Sequence, residues 1–391
     1  MPEAKFTFIK HFFIWILIAL GLCSFFYFYS NKQRLAYEIW QFPTLSFSTS
    51  PMVIYDNNLY FSDETNHLYS LSIEGTLNWK INLECPLHTK LIAIENFIAI
   101  ETIAAYQTFY PEAVTNCRNE ERLHIVDRLS GKIIDIKSSR KVYSYNIEEN
   151  YIYYSTASIL HKSNVNYSNV QNVLDMSRTD MRVGGFSSDF YIENSTLYMK
   201  SLYHDVYALD LNTHEFRWRF ISDWNFEEKD TVNPHETSHS LIHDEGVIYT
   251  AHKIQHSTAA DVYAFDAESG VILGRYRIEA GASPGRLSAS DKYIYIPSRD
   301  SRVHALTKRD LYPVWDVPTI GPVRGAMVPY QGVVYAGTQA GSIIGLDEET
   351  GERVYRYPTD DPIPGTPAIQ DGIIYFATNG GSIHAVKLPN K

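Results

Sequence analysis

Cysteine is nearly absent: three residues in 391, none in a Cys-x-x-Cys or mixed Cys/His spacing, so no metal motif can be built on them. Cys23 lies in an apolar N-terminal stretch, which leaves Cys85 and Cys117 in the body as one candidate disulfide or two idle thiols. Lys/Arg-rich runs are missing as well. With a formal charge of -11, the chain lacks the concentrated basic surface that phosphate binding needs, which argues against a nucleic-acid partner. No long Ala/Glu/Lys/Leu-rich stretch occurs, and charged residues make only 20%, so long solvated helices are not expected. A Gly-rich phosphate loop, a serine elbow, a paired nucleophile and base, and a Glu-bearing metalloprotease motif are all missing too.

What is abundant is tyrosine (29) and phenylalanine (19), residues that favour strands. One apolar run precedes the body. Residues 12–29, FFIWILIALGLCSFFYFY, are uncharged and about the length that crosses a bilayer as a helix. A cleaved signal would have a shorter apolar core, and Ala19-Leu20-Gly21 is followed by further aromatics, so the run is read as a retained transmembrane anchor. Leu22 stands where a lipobox wants a small residue before Cys23, which argues against lipidation. Lys5 and Lys10 before the span balance Lys32 and Arg34 after it, so charge assigns no orientation. The expected organisation is a tail (1–11), the anchor (12–29), a linker (30–36) and one body (37–391).

The body repeats. LYF (59–61), IYY (152–154), LYM (197–199), IYT (248–250), IYI (294–296), VYA (334–336) and IYF (374–376) recur, and Tyr295, Tyr335 and Tyr375 are spaced by about 40 residues, the period of four-stranded propeller blades. Each unit continues into a strand such as DVYALD (205–210), DVYAFD (261–266) or SIIGLD (342–347), then a turn such as DRLSG (127–131), DAESG (266–270) or DEETG (347–351). In these turns Asp bonds the amides ahead of it and Gly supplies a positive φ, so the carboxylates are structural, not catalytic. An outer strand carries Trp79, Trp218 or Trp315, with Tyr276 and Tyr355 in equivalent places, and these are read as wedges between neighbouring blades. The last unit lacks an outer strand, whereas YEIWQFP (37–43) precedes the first with Trp40 in the outer-strand position. Residues 37–43 are therefore expected to complete the last blade and close the ring.

Taken together, these units resemble the PQQ-like repeat family of quinoprotein dehydrogenases and of the BamB-type propeller lipoprotein of the outer-membrane β-barrel assembly machinery. The resemblance implies an all-β, eight-bladed β-propeller whose body lies in the periplasm or outside the cell. With the apolar run 12–29 read as one N-terminal transmembrane helix, the expected placement is a single pass through a bacterial inner membrane. A dehydrogenase would need a quinone, a stacking aromatic, a held cation and a catalytic Asp. The vicinal Cys-Cys pair of the alcohol-dehydrogenase type is absent, and those enzymes are usually longer.

Candidate site residues come from one face, where the links into each inner strand meet the links between second and third strands. Insertions fall there at 103–121, 223–238 and 251–260. Stacking the units puts His239, Gly285, Gly325 and Gly365 at matching positions where inner strands crowd the axis and small residues ease packing, so Arg286 and Arg324 should flank the channel mouth, with Arg182 aligned less well. Trp224 and Phe226, in the aromatic-acidic stretch SDWNFEEKD (222–230), are candidate partner anchors. His235, His239, His243, His252 and His256 are read as hydrogen-bonding loop residues in preference to a metal site. The expected function is a non-enzymatic scaffold that binds envelope or membrane proteins, with no cofactor and no metal. The alternative is a quinone- or small-ligand-binding propeller with dehydrogenase or sensor function.

Overall fold

Alternating apolar residues make strands, and the strands of this chain associate in fours. The structure, a computed structural model, describes residues 37–46, 48, 50–84, 87–102, 121–139, 144–148, 150–156, 159–165, 170–175, 190–201, 203–223, 241–254, 257, 259–279 and 285–389. These form eight four-stranded antiparallel sheets, and in seven of them the strands follow one another in chain order. The blades span 53–82, 87–139, 144–175, 191–220, 241–278, 288–318, 328–358 and 368–387, the last completed from the N-terminus. The proposed anchor at 12–29 lies outside the described residues. Among the described residues no helix is long and apolar enough to cross a membrane.

Ring closure is made by Glu38–Pro43, which pairs antiparallel with Ser382–Lys387 of the eighth blade, Trp40 opposite Ala385 and Phe42 opposite Ile383. His384 of that strand reaches back to Glu38, Nδ1 to Oε1 at 2.6 Å, so a polar contact reinforces the ladder. Both edges that an open ring would expose are thereby paired.

The blades are joined by one recurring contact. Trp40, Trp79, Trp218 and Trp315 each donate the indole N–H to a backbone carbonyl of the next blade, to Ile73, Arg128, Ala267 and Glu348 at 2.8 to 3.0 Å. Each indole lies on the glycine that ends that blade's third-to-outer turn, namely Gly75, Gly131, Gly270 or Gly351. These glycines have φ between +69° and +90°, and a Cβ on any of them would stand 2.5 to 2.8 Å from an indole carbon. Glycine is required there twice, for the left-handed turn and for the close approach. Room for the indole within its own blade comes from a small partner: Ser70, Ala208, Ala305 and Ala385 stand opposite Trp79, Trp218, Trp315 and Trp40. The third strands of these blades accordingly read Ser-Leu (70–71), Ala-Leu (208–209 and 305–306) or Ala-Val (385–386) at this point. A second-strand tyrosine completes each dock, with Tyr60, Tyr198, Tyr295 and Tyr375 at 5.9 to 6.1 Å from the four indoles. The tryptophans are thus interblade wedges, and each dock adds about 1 kcal/mol of hydrogen bonding to the burial of its rings.

The turns are held as their sequence implies. Asp127 Oδ1 accepts from the Ser130 amide and hydroxyl at 2.7 and 2.6 Å, and Asp266 does the same with Ser269 at 2.9 and 2.7 Å. Those bonds hold both carboxyls below the usual range. Asp210, bonded by the Thr213 and Asn212 amides and by Arg217, is pulled to about 2. Each of these acids is committed to a turn.

Candidate functional site

Strand order decides which loops share a face. In a four-stranded meander the links from first to second and from third to outer strand lie on one side, and the remaining links lie on the other. On the first side no link exceeds the length of 128–132 or 211–215; on the second the links include 103–120, 176–190 and 221–240. The longer-looped face also carries a cavity of about 230 Å³ between blades 4 and 5.

Blade 4 supplies Phe220, at the end of its outer strand Phe216–Phe220, the following Ser222 and Asp223, and His204 from the link between its second and third strands. That wall is fixed by Asp205, a fully buried acid whose Oδ1 accepts from the Ser222 amide at 2.8 Å and whose Oδ2 accepts from the Tyr207 hydroxyl at 3.1 Å. Blade 5 supplies His252 and Ile254 from its second strand and the stretch after it, Asp261 and Tyr263 from Ala260–Asp266, and Arg275 and Arg277 from Ile272–Ile278. The period of two places Arg275 and Arg277 on one side of the outer strand, directly opposite Tyr263 and Asp261.

Asp261 is the electrostatic centre of the site. Its side chain is 6% exposed and accepts from Arg275 Nη2 at 2.5 Å and from Arg277 Nε and Nη2 at 3.0 and 3.1 Å. Burial opposes its ionisation, but the bonds and charges of Arg277 and Arg275 outweigh this and hold its carboxyl below the usual range. Arg275 also lies over the Tyr263 ring, 5.4 Å from its centroid.

Behind this pair the site is buried and aromatic. His252 stacks on His204 with centroids 5.4 Å apart and touches Phe220 and Tyr263 at 5.9 and 5.0 Å. Burial first, then the repulsion of a second positive charge beside Lys200, His204 and Arg275, holds its imidazole well below the ordinary value, which favours the neutral ring. Its Nε2 has no hydrogen-bond partner among the described residues. Lys200 is fully buried beside it, donates from Nζ to the Ala251 carbonyl at 2.6 Å, and is pushed by burial down to about 7.

Of the residues singled out from sequence, Arg286 and Arg324 are described. Arg286 is half-buried two residues before the inner strand Ser288–Ala289, and Arg324 is exposed four residues before Val328–Tyr330. A Cβ on Gly285 would stand 3.2 Å from the Arg324 carbonyl oxygen, and one on Gly325 2.6 Å from that of Gly365, so consecutive links crowd one another at the axis. Arg182, Trp224, Phe226, Cys85, Cys117, His235, His239 and His256 lie outside the described residues.

The two described members of the histidine group stand in strands and not in loops, His243 half-buried in Leu241–Asp244 and His252 buried in Val247–Lys253. His243 stacks on Tyr191 at 4.7 Å with its Nε2 2.9 Å from Glu193, whereas His252 is in the cavity. Sequence reasoning missed Asp261, Arg275, Arg277 and Lys200. The available signal was the alternation in GRYRI (274–278), two cations on one side of an outer strand, opposite a third strand with Asp261 near its start.

Residues 258–390 match the PQQ-like family model described as "Outer membrane protein assembly factor BamB". No curated protein matches the chain in sequence. Among solved structures, BamB from Moraxella catarrhalis is 12% identical, with 90% of this chain and 99% of that one covered at a TM-score of 0.65. The computationally designed Ika8 protein is 10% identical over 90% of this chain and 100% of that one, at a TM-score of 0.69. The quinohemoprotein alcohol dehydrogenase ADHIIG from Pseudomonas putida HK5 is 11% identical over 90% and 76% at 0.62. The sequence match covers the last blades, residues 258–390, and over the rest of the chain the likeness to these structures is one of fold.

Proposed function

We propose that this PQQ-like propeller is a non-enzymatic scaffold that binds protein partners in the bacterial cell envelope, with a role in outer-membrane protein assembly. In this reading residues 12–29 anchor it in the inner membrane, and the ring stands in the periplasm or outside the cell. The observation that carries the proposal is the asymmetry of the two faces: short, self-bonded turns on one, and links as long as 221–240 on the other. Long loops on a rigid scaffold are the usual place for recognition. The fold is shared with a dehydrogenase as well as with BamB, so the preference for a scaffold comes from the repeat match to the BamB-described family and from this asymmetry.

The test is capture of partners from detergent-solubilised membranes by the full chain. Reversing Arg286 and Arg324 to Glu, together with Trp224→Ala, should abolish capture, whereas Glu268→Lys and Glu349→Lys on the opposite face should not. Surface changes of this kind typically alter stability by only about 0.5 kcal/mol, so circular dichroism and melting should stay close to the parent. Undiminished capture by the triple variant would overturn the assignment of the face. A stoichiometric quinone in the absorption spectrum of the purified chain would favour the ligand-binding alternative.

A further inference from the structure

The cavity between blades 4 and 5 combines three features that packing alone does not ask for. The first is a pair of cations sharing one acid. The side chains of Arg275 and Arg277 are 50% and 48% exposed, and both bond the buried Asp261. Two positive charges therefore meet one negative charge, and since each guanidinium carries five N–H donors, donors remain beyond those given to Asp261. The second is His252, which lines the cavity 6% exposed with Nε2 unpartnered among the described residues. A buried polar atom without a partner carries a desolvation cost, which a ligand atom placed there would remove. The third is the apolar wall of Phe220 and Tyr263, whose ring centroids are 5.4 Å apart.

The balance of these groups selects the ligand's chemistry. Asp261 cancels one of the two arginine charges, and Asp223, exposed at the rim, repels a second negative charge. A single carboxylate fits this field better than a phosphate dianion. At about 230 Å³ the cavity is smaller than a drug-sized pocket and suits one side chain or a small molecule. We infer that this cavity binds one carboxylate-bearing group with an apolar body, its carboxylate held by Arg275 and Arg277 and reaching His252 Nε2, and its apolar body against Phe220 and Tyr263. A free small carboxylate and a carboxylate displayed by a peptide share this chemistry. The inference goes beyond the scaffold reading, because carboxylate binding can fail while partner capture persists, and the reverse.

The experiment uses the full chain in detergent and ligand-observed saturation-transfer NMR. Benzoate is the free probe, benzamide its neutral control, and inorganic phosphate a competitor. An end-capped peptide containing glutamate, with its glutamine counterpart, is the displayed form. Expected is saturation transfer to benzoate or to the glutamate peptide, with neither benzamide nor the glutamine peptide competing. Stronger binding of benzoate assigns a free ligand, and stronger binding of the peptide assigns a displayed one. Arg277→Gln, at a half-exposed position, should weaken the preferred probe by about tenfold, and His252→Phe, which keeps a ring but removes Nε2, by a smaller factor. Because His252 is buried, a melting curve like the parent's is required of that variant; the Arg277 variant stands by itself if His252→Phe does not fold. Equal binding of the neutral controls, displacement by phosphate as efficient as by carboxylate, undiminished binding by Arg277→Gln, or no transfer to any carboxylate would each overturn the inference.

Discussion

The junction between blades 4 and 5 has two unlike ends. At the short-turn end Trp218 lies on Gly270 and donates to the Ala267 carbonyl at 2.8 Å, a contact with its indole N–H satisfied and little room left. At the other end, along the same outer strand, Phe220 borders a cavity that holds an unpartnered imidazole nitrogen and a pair of arginines on one acid, with a buried lysine behind. One end is arranged for packing, and the other keeps groups that destabilise a core unless something binds them. The junction between blades 5 and 6 offers a further contrast, since it solves the packing problem without tryptophan. Leu311 replaces the turn glycine at φ 54° with its side chain buried, and the glycine moves to the wedge position itself, since Gly274 stands opposite Ala264 as Trp218 stands opposite Ala208. There a Cβ on Gly274 would meet the Asp310 backbone at 2.6 Å. Tyr276, expected from sequence to be an equivalent wedge, lies instead opposite Val262 with its hydroxyl 3.3 Å from His304 Nδ1. The volume is conserved while the residues that supply it change, which is why the repeat reads as degenerate in sequence and regular in space.

The largest effect should come from the junction whose dock is supplied by the far end of the chain. Deleting residues 37–43 removes Trp40 from Gly75 and bares the strand Ser382–Lys387. The single cooperative unfolding transition should be lost, with aggregation on heating; a melting curve like the parent's would show that the closing strand is dispensable.

Next comes Gly270→Ala, which adds a Cβ 2.5 Å from the Trp218 ring at φ +73° and should cost about 2–4 kcal/mol in urea unfolding. Combining it with Trp218→Leu should cost less than the sum of the two single changes, since the smaller side chain relieves the overlap. Additive losses would mean that the indole and the glycine are not a unit.

The smallest effect probes the other end of the junction. Lys200 has a folded pKa of about 7 against an ordinary 10.5, so between those values the unfolded chain holds a proton that the folded chain lacks. Stability contributed by this group therefore rises with pH from about 7 to about 10.5, and its burial is unfavourable below that window. Lys200→Met should raise stability near pH 7 on the order of 1 kcal/mol and flatten the slope above it, even though it leaves the Ala251 carbonyl without its donor. An unchanged slope across that window would assign the pH dependence to other groups.

Blade anatomy was legible because its causes are local. Asp266 through Gly270 form a turn whatever surrounds them, the alternation of residues 261–266 makes a strand in any sheet, and Trp40 in YEIWQFP marks an outer strand because it repeats the placement of Trp79, Trp218 and Trp315. The pairing of each tryptophan with a glycine on the next blade was not legible, although both residues were. Trp79 and Gly131 are separated by a complete set of intervening strands, and only the ring brings them together.

The sequence by itself thus determined the repeat, the turns and the wedge residues, through interactions that span a few positions. Tertiary structure alone decided the cavity. It joins Phe220 of one blade to His252, Asp261, Arg275 and Arg277 of the next, and nothing in the spacing of those residues specifies that two outer-strand cations will share a buried acid beside an unpartnered imidazole. Strand pairing sets which residues stand opposite within a blade, but the packing of one blade face on another sets what meets across the junction, and that depends on the whole ring being closed.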